Sequence, residues 1–389
     1  MKNKIALLLS ILLIATMLLT ACGPKAEPAK LTIWHSYHTG ENEEKAINQI
    51  IATYQAEHPE VTVEVLSVPF DQLANKWSTE VAAGGGPDMF TMPNDDFGNW
   101  IRGGLVAPID EYTAGKLDGF SQLAIDGMTY EGKLYGVPGI AKAVGLFYNK
   151  DLVATPAATT DELLAQVADG KGLVMRPWDY FNYGFFTGSF GGKLMDDTGK
   201  CVADQGGFED AFQWMADLKA AGAVFEPDEG KANAMFTDGT AAYIVTGPWM
   251  LGTFKEALGD KLGIAPLPAG PAGAATPMTG IDGWYINPNS PNKAAAVELA
   301  LYIFGKDSAT IDADVAGDPM GRTDITVSNP MIKTFIEIAN AGFPRPQSAE
   351  FGNWWGPFND ATTKLLEGQG DAATVVAEAC TAMNTANKK

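Results

Sequence analysis

The alternation of strand-like and helix-like segments over residues 31–92 restricts the fold more than any other feature of this sequence. Three short segments, Leu31–Trp34, Val61–Val65 and Asp88–Met92, are apolar or alternate between apolar and polar residues, as strands do. Between them, apolar residues recur at helical spacing: Ile47, Ile50, Ile51 and Tyr54, then Leu73, Trp77 and Val81. This β-α-β-α-β order predicts parallel strands joined by right-handed crossovers, in an open sheet covered by helices.

Size and charge narrow the class of protein further. A chain of 389 residues is too long for one ordinary hydrophobic core, which predicts two lobes. The formal net charge of −20 at pH 7 disfavours a nucleic acid as partner, because the phosphate backbone is itself anionic. The same acidic balance suits an exported protein that is soluble apart from any anchor.

The first 21 residues have the features of an export signal. Lys2 and Lys4 precede an apolar stretch, Ile5–Leu19, that is shorter than the about 20 residues needed to span a bilayer. The stretch ends in Leu-Thr-Ala-Cys, which looks like a bacterial lipoprotein box; an ordinary secretory signal is the weaker alternative. The box implies that Cys22 becomes the lipidated first residue and that residues 22–30 tether an extracytoplasmic protein to the cell membrane.

Cysteine and histidine are too few to indicate a metal site or a histidine-dependent enzyme. Beyond the lipoprotein box only Cys201 and Cys380 remain; their spacing predicts no bond, and we expect them to be unpaired. His35 and His38 could supply two metal ligands, but no cysteine lies nearby and His58 stands at a helix end. A polar loop is the favoured interpretation of the histidine pair.

Two predicted strands are followed by residues suited to a ligand. The apolar run Ala241–Thr246 stops at Gly247-Pro248 and presents Trp249, while Asp95 and Asp96 follow the strand that ends near Met92. Ligands of open α/β sheets bind beyond the carboxyl ends of strands. From the residues alone, however, a tryptophan that fills the core and an Asp-Asp turn are the favoured interpretations.

The order of the motifs along the whole mature chain resembles that of bacterial extracellular solute-binding proteins of the maltose-binding type, which feed ABC importers. Each motif is weak singly, but the set is specific in this order: Leu31–Trp34, Gly86–Asp88, Gly104–Pro108, Tyr135–Pro138, Leu146–Leu152, Gly247–Trp249, Leu267–Pro268, Ser290–Lys293 and Trp354–Trp355. The resemblance implies an α/β, two-lobed, periplasmic-binding-protein-like fold. A ligand cleft would separate the lobes.

The resemblance also implies that the chain crosses between the lobes three times. The crossings are expected near Ala141–Val144, Thr276–Gly280 and Gly321–Thr326. Lobe 1 would then comprise residues 31–141 and 281–323, and lobe 2 residues 145–276 and 327–389. Closure of the lobes around a sugar would signal to the transporter permease. The protein would be a monomer, not an enzyme, and would need no cofactor or metal.

The candidate ligand contacts follow from the same resemblance. Tyr180, Trp249 and Trp354 match the aromatic platforms of the family, so that Trp249 becomes a platform rather than core filler. Aromatic rings receive the C–H faces of sugars, and carboxylates accept hydrogen bonds from hydroxyl groups. The full set is Ser36, Tyr37, His38, Glu43, Asp95, Asp96, Tyr180, Trp249, Trp284, Trp354 and Trp355.

Three departures from the family pattern leave the sugar open. Asp96 stands where the pattern has arginine, Lys142 stands at a hinge position usually held by glutamate, and His38-Thr39 replaces an acid-base pair. Maltose, a maltodextrin or a related α-glucoside is the expected ligand. An anionic ligand would need more cations than Lys142 and Arg322, which are the two that we place near the cleft.

Three alternatives remain open. The same fold could bind a polyamine, with Asp95, Asp96 and the tryptophans as contacts, or a metal ion, whose carriers gather tyrosine, histidine and carboxylate groups in the cleft. A glycoside hydrolase would need two carboxylates on opposite sides of a bond, and adjacent residues such as Asp95 and Asp96 do not suit that geometry. The third alternative is an interaction protein whose cleft serves docking alone.

Overall fold

The computed structural model describes residues 29–177 and 187–389, which form two mixed α/β lobes, each built on its own sheet. Cys22 and Tyr180 lie outside the described residues. We call lobe 1 the part built on the six-stranded sheet and lobe 2 the part built on the five-stranded sheet. In chain order the strands are β1 Ala29–His35, β2 Val61–Ser67, β3 Met89–Pro93, β4 Thr129–Tyr130, β5 Lys133–Leu134, β6 Gly136–Lys142, β7 Gly145–Asn149, β8 Leu173–Met175, β9 Val224–Phe225, β10 Tyr243–Thr246, β11 Leu262–Ala265, β12 Met278–Ile286 and β13 Phe343–Pro344.

Helices flank both sheets. The described α-helices are α1 Asn42–Glu57, α2 Phe70–Ala82, α3 Phe97–Arg102, α4 Asp110–Thr113, α5 Gln122–Gly127, α6 Thr160–Ala168, α7 Phe208–Ala221, α8 Glu229–Thr237, α9 Leu251–Leu258, α10 Lys293–Ile303, α11 Lys306–Val315, α12 Pro330–Ala341, α13 Trp355–Leu366 and α14 Ala372–Ala386. None of these helices is long and apolar enough to cross a membrane. Helix α7 ends at Gly222, which adopts a left-handed φ of 110° that closes a helix readily.

The sheet of lobe 1 has the strand order β13-β12-β3-β1-β2, with β6 also paired to β12. β1 runs parallel to both β2 and β3, so the predicted β-α-β-α-β unit is confirmed. β12 runs antiparallel to β3 and β6, which places a late segment of the chain inside the first sheet. All nine residues of β12 are buried, as expected for a central strand with helices on both faces.

The sheet of lobe 2 has the strand order β11-β7-β10-β8-β9. β10 lies at its centre, antiparallel to β7 and parallel to β8. The chain passes from the first sheet to the second between Lys142 and Gly145, and it returns between Ala265 and Met278. The fold is therefore the two-lobed α/β fold that the sequence predicted.

Ser290-Pro291, a capping hydroxyl followed by proline, is the pattern of a helix start and predicts that a helix begins there, but α10 begins later, at Lys293. The Ser290 hydroxyl donates to Asp88 Oδ1 over 2.6 Å and accepts from the Asn292 amide over 2.9 Å. The buried Asp88 carboxylate therefore holds the serine in a turn ahead of the helix. The prediction was wrong by two residues because a partner distant in sequence engages the hydroxyl.

The expectation that Cys201 and Cys380 are unpaired was wrong. The two residues form a disulfide across a sequence separation of 179 residues, and each is 1% exposed. The bond joins the segment before α7 to helix α14, within a hydrophobic cluster that also contains Phe208, Phe212 and Phe358. Sequence spacing could not reveal the pairing, since it depends on the packing of α14 against α7.

We predict that replacing both cysteines, Cys201→Ala with Cys380→Ala, lowers the free energy of unfolding by about 2–4 kcal/mol, because the open chain gains conformational freedom when unfolded. Urea titration followed by circular dichroism measures the change. The wild-type protein in reductant should unfold at the midpoint of the variant. A variant with the midpoint of the oxidised protein would contradict the prediction.

Candidate functional site

The candidate site lies where β1, β3 and β10 end, at the edge of the sheets that faces the space between the lobes. Ser36, Tyr37 and His38 follow β1, Asp95 and Asp96 follow β3, and Trp249 follows β10. Lobe contact brings these loops near one another. A Cβ atom on Gly98 of α3 would lie 2.6 Å from the carbonyl oxygen of Gln347, in the segment that leads to Trp354.

A second contact between the lobes lies next to the first turn of α1. A Cβ atom on Gly252, at the start of α9, would lie 2.3 Å from Asn42 Nδ2. One on Gly317, after α11, would lie 3.1 Å from Leu251 Cδ2. The start of α9 therefore covers residues of lobe 1 on both sides of the hinge region.

Trp249 is half-buried and sits in a 3₁₀ turn, Pro248–Met250, directly after β10. Its ring lies against Gly247: a Cβ atom on Gly247 would be 2.0 Å from Cζ3 of the indole. Only glycine leaves room for the ring at this position, because any other residue would displace it. The sequence Gly-Pro-Trp thus fixes the orientation of the ring as well as the end of the strand.

Asp95 forms an ion pair with Arg345, whose side chain is fully buried while the Asp95 side chain is 16% exposed. Arg345 also donates to Asn94 Oδ1 over 3.3 Å, and its backbone amide donates to the Thr279 carbonyl over 3.1 Å. Burial lowers the pKa of Arg345 to about 9, which leaves the guanidinium charged at neutral pH. A distant arginine therefore holds the carboxylate that the resemblance assigns to ligand binding.

Asp96 is half-buried and precedes the first residue of α3. Burial raises the pKa of its carboxyl group, and a hydrogen bond with Asn99 partly opposes this rise. The ionised form of the Asp96 carboxyl group is thus less stable, relative to the protonated form, than that of a surface aspartate. The burial of Asp96 could not be predicted from the sequence, since an Asp-Asp pair after a strand is typical of an exposed turn.

The loop after β1 is mostly packed rather than open. Tyr37 is 8% exposed, and its amide donates to Nδ1 of the buried His35 over 3.2 Å. Burial lowers the pKa of His35, so its imidazole is neutral with Nδ1 as the acceptor. Ser36 is half-buried, and His38 is exposed and lies 3.7 Å from the Glu41 carboxylate.

Glu43 is engaged with Lys142. Lys142 Nζ lies 2.6 Å from Glu43 Oε1 and 3.0 Å from Asp282 Oδ2, and it stands 5.9 Å from the centre of the Tyr37 ring. Burial disfavours the charged lysine, but the two carboxylates outweigh it and hold the pKa of Lys142 well above its usual value. An aspartate inside a buried strand such as β12 was the sequence signal for this cluster, and sequence reasoning missed it.

The predicted tryptophans occupy different environments. Trp284 lies on β12 and is 0% exposed, packed in the core of lobe 1. Trp354 is 1% exposed, with its ring centre 4.9 Å from that of the half-buried Trp355 and 5.7 Å from that of Phe351. Trp249 and Trp355 are thus the predicted platforms that present part of a ring at the surface in this arrangement of the lobes.

The site contains charge pairs but no group that could hold a metal. Within residues 29–177 and 187–389 no three His, Cys, Asp or Glu side chains converge as metal ligands. The cations near the cleft, Lys142 and Arg345, both face carboxylates, and Arg322 is paired with Asp324. What the arrangement offers is an aromatic face beside fixed hydrogen-bond acceptors. That is the composition of a binding site rather than of a catalytic one.

Comparison with known proteins agrees with this geometry. Residues 49–332 match the model of the family described as bacterial extracellular solute-binding protein. The chain belongs to this family. Members bind solutes, so the expectation that this solute-binding protein is not an enzyme is confirmed.

Similar proteins cover nearly the whole chain. A maltotriose-binding protein of Pyrococcus abyssi is 27% identical over 361 residues, which is 87% of this chain and 78% of that protein. A maltooligosaccharide ABC transporter solute-binding lipoprotein of Streptococcus pneumoniae is 24% identical over 97% of this chain and 96% of its own length. The structure of a Thermus thermophilus maltotriose-binding protein with bound maltotriose superposes with a TM-score of 0.82 at 28% identity, covering 92% of this chain and 99% of that chain.

We predict that Lys142→Met lowers the free energy of unfolding by about 3–5 kcal/mol, because it leaves the buried carboxylates of Glu43 and Asp282 without their cation. Urea unfolding at pH 7 measures the loss. Lys364→Met is the matched control, since it breaks an exposed pair with Glu378 and should barely move the unfolding midpoint. Equal effects of the two substitutions would contradict the prediction.

Proposed function

We propose that this solute-binding protein captures a maltooligosaccharide, or a closely related oligosaccharide, in the cleft between its lobes and delivers it to an ABC permease. The observation that carries the proposal is the half-buried Trp249 ring, which packs against Gly247 at the end of β10, in the same relation to its strand as Asp95 and Asp96 have to β3. A pyranose has an apolar C–H face and a rim of hydroxyl groups. The ring would receive the face, and the polar groups would receive the rim.

The charges at the cleft favour a neutral ligand over an anionic one. Lys142 and Arg345 are each opposed by carboxylates within the site, so neither offers an uncompensated positive charge. A phosphate or carboxylate ligand would have to displace these internal partners. A neutral sugar needs no such exchange, since its hydroxyl groups both donate and accept hydrogen bonds.

The relatives support the class of ligand and the transporter. The Pyrococcus and Thermus proteins are both named for maltotriose, and the pneumococcal relative is named as part of an ABC transporter and as a lipoprotein. On this basis we assign a permease as partner and Cys22 as a lipidated anchor to the cell membrane. We also assign a monomeric state.

Closure of the lobes is the mechanism that we propose for signalling to the permease. Residues 31–141 with 281–323 would move against residues 145–276 with 327–389 about the three crossings. Ligand shifts the population toward the closed form because contacts with both lobes exist only there. The proposed contacts are Ser36, Tyr37, His38, Glu43, Asp95 and Asp96 from lobe 1 and Tyr180, Trp249 and Trp355 from lobe 2. Trp284 and Trp354 are enclosed in hydrophobic clusters and are left out of this set.

A cationic ligand is the second candidate, because carboxylates are more numerous than cations around the cleft. Asp95, Asp96 and Glu43 lie there beside aromatic rings, a composition that also suits a polyamine. Arg345 and Lys142 already neutralise part of this negative charge. Titration of the protein with each class of ligand distinguishes a neutral oligosaccharide from a polyamine.

We predict that maltotriose and longer maltodextrins change the intrinsic tryptophan fluorescence of residues 30–389 in a saturable way, whereas spermidine does not. Calorimetry on the same samples gives the stoichiometry, expected to be one. A galactooligosaccharide and trehalose serve as controls for linkage and sugar type. A signal with spermidine alone would move the proposal to the polyamine alternative, and the absence of any signal would reject both ligands.

We predict that Trp249→Ala weakens sugar binding by about 1–3 kcal/mol through loss of the stacking face, while Trp249→Phe loses less. Gly247→Ala tests the same platform without removing it, since the new methyl group would clash with the indole and displace it. Calorimetry measures both effects. Gly85→Ala is the control, because its added Cβ would meet only an ordinary contact at 3.6 Å. Unchanged affinity in both Gly247→Ala and Trp249→Ala would place the ligand elsewhere.

A further inference from the structure

A group of four carboxylates surrounds Lys142 beneath the contact between the lobes. Glu43 and Asp282 form the ion pairs described above, and Asp312 and Asp318 complete the group; we call these five residues the hinge charge cluster. The side chain of Glu43 is 11% exposed, and Asp282, Asp312 and Asp318 are 3%, 5% and 1% exposed. One lysine cannot neutralise four carboxylates, so the fully ionised cluster would carry a net charge of −3.

The hydrogen bonding of Asp312 and Asp318 shows how the excess charge is relieved. Neither oxygen of Asp318 accepts from a donor group in the described parts of the chain, and Asp312 Oδ1 also lacks a donor there. Asp312 and Asp318 are both buried and lie close enough to influence each other's ionisation. Two buried carboxylates repel each other, so uptake of a proton by one of them is favoured.

Protons are the available counterions, since no group of described side chains is arranged to hold a metal ion. Burial raises the pKa of Asp312 to about 7 and raises the pKa of Asp318 well above its usual value. The groups that face them are Glu43 from α1, Lys142 from β6, Asp282 from β12 and Tyr37 from the loop after β1. The residues of lobe 2 that cover this region, Leu251 and Gly252, are uncharged.

The opposite lobe contacts residues that adjoin two members of the cluster. Leu251 packs on Gly317, which directly precedes Asp318, and Gly252 packs on Asn42, which directly precedes Glu43. Separation of the lobes would remove these contacts and bring water closer to Asp318 and Glu43. Part of the cost of burying the carboxylates would therefore be incurred when the lobes close and relieved when they open.

We propose that closure of the lobes is coupled to proton uptake by Asp312 and Asp318, so that acidic conditions favour the closed, ligand-holding form and alkaline conditions favour release. The inference rests on the proposed closure mechanism. A carboxyl group whose pKa is higher in the closed form than in the open form stabilises the closed form at low pH. That contribution is lost progressively as the pH rises toward the pKa of the closed form, and little change remains above it.

The first test measures maltotriose affinity by calorimetry between pH 5.5 and pH 8.5, in pairs of buffers that differ in ionisation enthalpy. We expect affinity about tenfold weaker at pH 8.5 than at pH 5.5, since one group coupled to closure allows up to tenfold per pH unit below its raised pKa. We also expect a net uptake of protons on binding near pH 6.5. Constant affinity with no dependence on the buffer would overturn the proposal.

Three variants assign the effect to the cluster. Asp312→Asn supplies an amide donor to Asp318 at every pH and should flatten the pH dependence by raising the affinity at pH 8.5 toward that at pH 5.5. Asp318→Asn should do the same from the other side of the pair. Asp314→Asn is the matched control, since Asp314 lies on the exposed face of the same helix and should leave the wild-type profile intact. Wild-type pH dependence in both cluster variants would overturn the assignment.

A second test needs no ligand and so separates this inference from the choice of sugar. Spin labels at Lys45→Cys in α1 and Glu256→Cys in α9, both exposed positions, report the distance between the lobes. The short-distance population should be larger at pH 5.5 than at pH 8.5, and Asp312→Asn should remove the difference. If the distance depends on pH but the protein does not bind maltotriose, the pH-dependent closure is supported and maltotriose is rejected as the ligand. Identical distances at both pH values would reject the switch.

Discussion

The structure depends on the pairing of β12 inside the first sheet. This strand returns from lobe 2 and pairs with β3, β6 and β13, so that three distant parts of the chain are fixed to one buried element. Asp282 on β12 meets Lys142 at the end of β6, and Gly280 leaves space for the Arg345 guanidinium. The strand therefore sets the position of lobe 2 relative to lobe 1 and the charges between them.

The charge pairs of the site follow from this arrangement rather than from local sequence. Arg345 reaches Asp95 across a sequence separation of 250 residues, and Lys142 reaches Glu43 across 99 residues. Each pair joins segments that meet at the cleft. Because buried ions are costly unless they are paired, these contacts restrict the geometries that the hinge region can adopt. The carboxylates proposed as ligand contacts, Glu43 and Asp95, thus have protein groups as their main partners.

Much of the fold could be predicted from periodicity. The strands β1, β2 and β3 lie within a few residues of their expected bounds, and helices α1 and α2 contain the apolar residues predicted at helical spacing, because local periodicity determines them. The N-terminal region of α10 and the pairing of Cys201 with Cys380 depended on partners far away in sequence, so no local pattern could indicate them.

The candidate site was less predictable than the fold. Sequence placed Trp249 and Asp95 at strand ends, where the structure has them, but it also listed Trp284 and Trp354 as ligand contacts although both are enclosed in hydrophobic clusters. It also missed Arg345, Asp312 and Asp318. Polar residues inside apolar segments indicate buried charge pairs. Which residues pair with each other depends on how the sheets assemble, and the sequence does not show this.

The disulfide has a consequence for biogenesis. A chain that crosses the membrane N-terminus first presents Cys201 well before Cys380, which follows it by 179 residues. The covalent ring can therefore close only after the whole segment from Cys201 to Cys380 has been exported, and it encloses β12 and the segments that complete lobe 1. Oxidation would show that translocation has passed Cys380, and a chain stopped before that point would keep Cys201 as an unpaired thiol.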